Sequence, residues 1–436
     1  MEPLHLLFTA IGFAFAIWLV IKARQNLLDI VYLLFFFLPF EWTPTIEIVG
    51  FTFKINHLVG IILIVYWIFR LVKIKKITRN PYLPYYLCLI GAIILSLSTA
   101  IFIGKALVSF FLILFSMACA IIIYDLVKTN QDLEKINRYV IYSAWIVVIF
   151  SIWQFLGDFA GLPNYLTGLR EGYTKITFGF PRVHAFSREP LYLGSFLFIP
   201  LGLVSGKILK EKSKISIWLL LFLLILVMFL TLSRGAILGL IAAIVMLICI
   251  FPRKIVNWRN IIFTLSALII SAGIIFAGLN LFGSDKVERF VNHLTIKDIN
   301  IGESTVSRLI NFNTAFEISK SFPYTGIGIG NYGSYVTNYN IFDSRVNDIV
   351  NNEYLEILAE TGYIGLFAFI ALIIFAIARS IIIIRKSKSE DKYILGALTA
   401  AFVGMMVQYN FFSTLSIIHI WAMFGLLSIY QKKLNE

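Results

Sequence analysis

The feature that most limits this chain is the length of its apolar runs. Segment after segment carries close to twenty residues with hardly a charge. That is the length a helix needs to cross the hydrocarbon core of a bilayer, about 30 Å thick. With no water there to satisfy backbone N–H and C=O groups, such runs must be helical. Thirteen stretches qualify, at approximately 4–21, 27–42, 56–72, 82–101, 106–126, 139–159, 190–206, 215–232, 236–251, 259–282, 357–378, 393–411 and 414–431. Hydrophobic residues make up 59% of the chain and charged residues 14%, a balance no soluble domain of 436 residues reaches. The expected fold is all-α, a single polytopic integral membrane helix bundle over residues 1–436 with about 12–13 transmembrane helices. One long outer loop should carry short helices. The first run lacks a small-residue cleavage site after it and reads as a retained helix rather than a signal peptide.

A net charge of +13 could suggest nucleic acid, but its distribution argues otherwise. With the N-terminus outside and the spans alternating, 24 of the 37 basic residues fall in short inner segments. Lys73, Lys75 and Lys76 are examples, as are Lys210, Lys212 and Lys214, or Arg385, Lys386 and Lys388. The positive-inside rule accounts for the excess and orients the chain, so no nucleic-acid partner is needed. Cys88, Cys119 and Cys249 each sit alone inside a predicted span, without disulfide or metal spacing, and read as packing residues. His5, His57, His293 and His419 are scattered; His419, within the last span, suits an interhelical hydrogen bond better than a metal. No HxH, HExxH, CxxC or clustered-carboxylate spacing points to a metal site.

Two outer segments break the apolar pattern. The first, 160–189, holds Arg182, His184, Arg188 and Glu189 ahead of Pro190. The second, 283–350, is long enough that a lid or binding role is expected of it. Within it Leu309, Phe312 and Phe316 recur at helical spacing across Ser307–Lys320, as for a helix lying on the membrane or the bundle. Pro323 ends that helix, and Gly326, Gly328 and Gly330 read as a flexible turn. No internal repeat is visible, which weakens a transporter reading.

The polar residues on this outer face are the candidate site. Arg234 lies in a hairpin of a few residues between two spans, on the wrong side for the charge rule. Ser233 is placed to cap the next helix and Gly235 to let a ligand approach the backbone. Arginine beside a helix N-terminus suits a phosphate; the alternative is a side chain snorkelling to headgroups. Arg182 is a second candidate cation and Arg308 a third, against solvated charges as the alternative. Glu189 and Glu353 could accept a proton or merely complement a helix dipole, and Glu356 likewise. Asn351, Asn352 and Tyr354 open the eleventh span, where Asn could bind substrate or simply cap.

These segments resemble the O-antigen ligase and polymerase family of bacterial envelope membrane proteins. The resemblance rests on Ser233-Arg234-Gly235, then Arg308, then Pro323-Tyr324-Thr325-Gly326-Ile327-Gly328. It continues through Asn351-Asn352-Glu353-Tyr354-Leu355 and Gly362-Tyr363-Ile364-Gly365. It covers about 190–430, and order and spacing carry it rather than any one motif. The family implies a glycosyltransferase with undecaprenyl-diphosphate-linked oligosaccharides as donor and acceptor, at the outer face of the bacterial inner (cytoplasmic) membrane. It implies no cofactor and no metal, with Arg182, Arg234 and Arg308 as the clamp on the lipid diphosphate. Membrane lipids are implied partners, along with a flippase and a chain-length regulator. Ligases of the family are expected to carry a histidine where this chain has Asn351, and asparagine cannot serve as a general base. The Arg182–Pro190 segment is more similar to those of capsule and exopolysaccharide polymerases. The resemblance thus favours polymerisation of repeat units over ligation of O-antigen to lipid A core. A lipid-linked sugar flippase or exporter is the alternative from another class, and it should carry charges deep in its spans.

Overall fold

A computed structural model of the chain describes residues 15–42, 45–48, 51–175, 180–211, 213–255, 273, 303–338 and 349–435. The expected run at 259–282 lies outside these apart from residue 273, as do His5, His293 and all of 283–302. The regular structure among the described residues is helical except for one antiparallel hairpin, β1 (Thr45–Ile48) and β2 (Phe51–Lys54), paired Thr45 with Lys54 and Ile48 with Phe51. The helices before the outer loop are α1 (15–25), α2 (Leu27–Phe37), α3 (Ile55–Ile74), α4 (Leu83–Leu97), α5 (Ile103–Leu126) and α6 (Asn130–Phe159). Next come α7 (Pro190–Lys210), α8 (Ile215–Leu230) and α9 (Arg234–Ile250). After the undescribed stretch follow α10 (Glu303–Ser321), α11 (Tyr332–Asn338), α12 (Glu353–Lys386), α13 (Lys392–Gln408) and α14 (Ile418–Asn435).

The protein is a multi-pass membrane bundle. Five described helices are long and apolar enough to cross a bilayer, namely α3, α5, α6, α7 and α12. α2, α4, α8, α9 and α13 are shorter apolar helices of 10–17 residues. The shortening has local causes. α2 stops at Phe37, with Pro39 close behind, and the end of α4 is wound up by Ser98, whose hydroxyl donates to the Leu95 carbonyl at 2.6 Å. Starts are set by caps. Thr129 and Asp132 form a capping box on α6, and Asn26 caps α2.

α13 is the central post. α7 and α9 both press against it, and the approach is backbone-close because Gly202 and Gly206 face Leu398 and Ile394 while Gly239 faces Gly404. A bilayer supplies no hydrophobic drive between helices, so close packing of small residues must hold them. α14 runs along α5, and α12 packs on α4 and α10. The ends of α7, α12 and α14 away from the α8–α9 turn carry Lys210, Lys386 and Lys433, and Lys254 follows the same end of α9. There Asp391 pairs with Lys210 at 3.0 Å and Lys433 at 2.6 Å. Of the three thiols only Cys119 is a packing residue. Cys88 and Cys249 face outward, because isolated small apolar side chains cost nothing against lipid.

Candidate functional site

The site is built where four helix ends meet. The Gln408 amide, at the end of α13, donates to the Leu191 carbonyl in the first turn of α7 at 2.8 Å. The Glu353 N–H, at the start of α12, donates to the Tyr409 carbonyl at 2.8 Å. Gly235, at the start of α9, sits on Phe411, which occupies the space a Cβ would take. Glycine here therefore serves helix packing, and the expectation that it opens the backbone to a ligand is corrected. Starts of α7, α9 and α12 thus share one end of the bundle, each contributing about half a positive charge from its free N–H groups.

The hairpin that presents Arg234 is tight. Ser233 caps α9, accepting from the Ala236 N–H at 3.4 Å, as its position in sequence suggests. Before it, Leu232 is held at φ +49, a conformation bulky residues avoid, and is buried. Thr231 stitches the turn by donating to the Met228 carbonyl at 2.7 Å.

Arg182 arrives from the other side. The Val183 N–H donates to the Leu230 carbonyl at 3.2 Å, laying the outer loop on the hairpin, and Arg182 Nε donates to the Thr231 carbonyl at 3.3 Å. Its guanidinium lies 5.6 Å from the centre of the Tyr173 ring. The loop is fixed from beneath by Gln154 of α6, fully buried, whose oxygen accepts from the Ala185 N–H at 2.8 Å and the His184 N–H at 3.2 Å. His184 spends both ring nitrogens on backbone, Nδ1 with the Ser187 carbonyl at 3.0 Å and Nε2 with the Arg170 N–H at 3.3 Å. That pairing fixes the neutral tautomer with the proton on Nδ1, and burial pulls its pKa down to about 4.

The three arginines singled out in the sequence gather here. Burial pulls Arg182 down to about 10, and the charges of Arg308 and Arg234 push in the same direction, against Tyr173 and Glu189. Arg308 is lowered too, by burial and then by Arg234. Guanidinium groups stay protonated at such values, so these shifts express burial of charge first and the nearness of other arginines second. Glu189 is within electrostatic reach of Arg182 and stands as the residue preceding α7. Such a cluster is disposed to receive a multiply charged anion.

Arg308 is held in place by a clasp. α10 covers Ser307–Lys320 as expected, but only part of the expected stripe turns inward. Asn311, Ala315 and Ile318 are buried and Phe312 packs partly buried against the same core, whereas Leu309 and Phe316 are about half exposed (49% and 45%). Ala315 and Ile318 join Ile327, Tyr332, Val336, Val350 and Ala359 in a small separate core at the head of α12. The turn at 326–330 is clamped rather than flexible. The Ile327 and Gly328 N–H groups donate to the Ala359 and Glu360 carbonyls at 3.0 and 2.9 Å, and the Tyr363 N–H returns to the Pro323 carbonyl at 2.7 Å. α12 kinks there, with Gly362 at φ 67 facing Tyr324 and Gly326 at φ 66 facing Glu360; neither position has room for a Cβ. The Glu360 carboxylate, buried, completes the clasp by accepting from the Gly330 and Tyr332 N–H groups at 2.7 and 2.9 Å. Phe102 N–H on the α4–α5 side donates to Asn331 Oδ1 at 2.7 Å, and Lys105 Nζ to Ser334 Oγ at 2.6 Å.

The Asn pair divides its work. Asn352 caps α12, accepting from the Leu355 N–H at 3.1 Å, while Asn351 adopts φ 60, the left-handed region that Asn and His tolerate best. Tyr354 turns inward and donates its hydroxyl to the Met406 carbonyl at 2.7 Å, which commits it to the bundle. Glu353 is buried beside Tyr409, and its Oε2 has no hydrogen-bond partner among the described residues. Glu356 accepts from the Val350 N–H at 3.0 Å. Gln154, Tyr173 and Glu360 went unnoticed in the sequence. The spacing Glu353, Glu356, Glu360 on one helix face is the signal that could have found the last. His419 bears out the interhelical reading, with Nε2 3.1 Å from Ser195 Oγ and Nδ1 2.9 Å from Glu41. Among the described residues no three His, Cys, Asp or Glu side chains converge as a metal set.

No curated protein matches the chain. Residues 219–370 match the family model described as O-antigen ligase, a span that contains the arginine hairpin, α10, the glycine clasp and the head of α12. Over that span the chain is similar to the O-antigen ligase family, in keeping with the order of its motifs.

Proposed function

We propose that this protein polymerises undecaprenyl-diphosphate-linked oligosaccharide repeat units at the outer face of the bacterial inner membrane. The observation that carries the reading is the convergence of Arg182, Arg234 and Arg308 beside the N-terminus of α9. In the reaction the bond between the sugar anomeric carbon and the phosphate oxygen breaks, and its electron pair leaves on the lipid diphosphate. A hydroxyl of the acceptor sugar forms the new glycosidic bond and gives up its proton. The departing diphosphate gains negative charge, and fixed arginines stabilise it without reorganising. Glu189, electrostatically paired with Arg182, is the proton acceptor in this reading. Glu353 ties the head of α12 to the end of α13 through its N–H on the Tyr409 carbonyl; Asn351 replaces the histidine a ligase would use. Ser233 and Asn352 shape the binding rim through their caps.

Ligation of a finished glycan to lipid A core is the second reading, favoured by the description of the matching family. A glycan ladder separates them. The gene is deleted and complemented with wild type or Arg234→Ala, and the surface glycan is resolved by size. Polymerase predicts single repeat units in place of long chains, rescued by wild type alone. Long glycan stranded on undecaprenyl diphosphate would indicate ligase, and an unchanged ladder would sink both in favour of a flippase.

A further inference from the structure

The end of the bundle remote from the arginine cluster holds a second groove lined by cations. It is a cavity of about 240 Å³ between α12 and α14, walled by Phe375, Ala378, Ile382, Ile383 and Leu434. Arg379 and Lys386 supply its charge. Arg379 stacks near Phe375, its guanidinium carbon 6.0 Å from the ring centre, and its Nε is buried with no hydrogen-bond partner among the described residues. Neither cation has a carboxylate within ion-pair distance among those residues. Asp391, by contrast, sits between Lys210 and Lys433 nearby. A buried N–H donor without an acceptor is costly, so an anion at this position would relieve it. Arg379 lies seven residues before Lys386, about 10 Å along the helix axis at 1.5 Å per residue. That spacing separates glycerol depth from headgroup depth. Ile374 and Ile382, 59% and 53% exposed, continue the apolar wall toward the hydrocarbon. The charge rule puts this end on the cytoplasmic side, where anionic lipids gather.

We propose that this groove holds one anionic glycerophospholipid of the inner leaflet, its phosphate between Arg379 and Lys386 and an acyl chain along Phe375 and Ile382. A free phosphate would find the cations but would waste the apolar walls. The proposal does not depend on the glycosyl-transfer reading, because no residue of the arginine cluster takes part.

The test is native mass spectrometry of the purified, delipidated full chain with phosphatidylglycerol, phosphatidylcholine of the same acyl chains, or inorganic phosphate. Wild type should retain one phosphatidylglycerol at concentrations where phosphatidylcholine is lost. Arg379→Gln and Lys386→Gln should each weaken retention about five-fold, the effect of one basic residue at a charged membrane surface. Arg379→Lys should keep most of it, and Lys388→Gln, at the same level but outside the groove, should change nothing. Should Arg379→Gln fail to fold, Lys386→Gln decides alone. Equal retention of phosphatidylcholine, an equal loss in Lys388→Gln, displacement by millimolar phosphate, or wild-type retention in both groove variants would overturn the proposal.

Discussion

Glu360 can be tested most sharply, because its partners are countable. Its buried carboxylate accepts from two backbone donors, at 2.7 and 2.9 Å. Glu360→Ala leaves both N–H groups buried without an acceptor, and each such loss costs roughly 1–3 kcal/mol. The expected local destabilisation is about 4 kcal/mol, near the middle of the combined range. At 1.4 kcal/mol per decade, amide exchange at Gly330 and Tyr332 should accelerate about a thousand-fold in hydrogen-exchange mass spectrometry of the detergent-solubilised protein. Glu360→Gln keeps one acceptor oxygen and should fall in between. The amides of Ile327 and Gly328 should follow, since their acceptors belong to the same kink. Exchange within three-fold of wild type at Gly330 and Tyr332 in Glu360→Ala would refute the clasp.

Arg182→Ala and Arg234→Ala should each slow glycan transfer about 10²–10³-fold, the usual effect of removing one fixed donor from a developing oxyanion, in a reconstituted assay with lipid-linked donor. Arg308→Gln should also abolish most transfer yet raise resting stability by about 1 kcal/mol in thermal unfolding, since it relieves crowding of charge. A loss of stability would count against that crowding. His184 should make the outer loop acid-sensitive. Its folded pKa, about 4, lies below the ordinary 6.5, so the unfolded chain binds the proton first as pH falls. Stability is whole above 6.5 and is lost down to 4, by about 3 kcal/mol for the full shift. His184→Gln should flatten that window in melting curves between pH 7 and 4.

Much of the architecture was legible because a bilayer leaves the backbone only one way to satisfy itself. The arginines were legible for a related reason. Arg234 breaks the charge rule, and a charge in the wrong place asks for an anion; Arg182 stood out as a cation on the same outer face just ahead of a span. What escaped was everything set by a partner far away in the chain. Gly326 looks like part of a flexible turn until its missing side chain is seen to leave room for the Glu360–Thr361 backbone, as Gly362 does for Tyr324–Thr325. Gly235 looks like ligand access until Phe411 is found against it. Leu309 and Phe316 satisfy helical spacing, yet the face buried is that of Ala315 and Ile318, because α12 and not the membrane decided which side turned in. Spans such as 27–42 were drawn by hydropathy alone, which does not register that Pro39 forbids continuing the helix.

A binding site made of three crowded guanidinium groups and a helix start recognises charge and little else. Under the proposed reaction, the donor and the spent carrier carry the same diphosphate, and the spent carrier has one negative charge more. The site therefore holds its by-product at least as firmly as its substrate. Synthesis then proceeds only as fast as the empty carrier is drawn away through the membrane, and glycan length becomes linked to the supply of carrier recycling as well as to the enzyme itself.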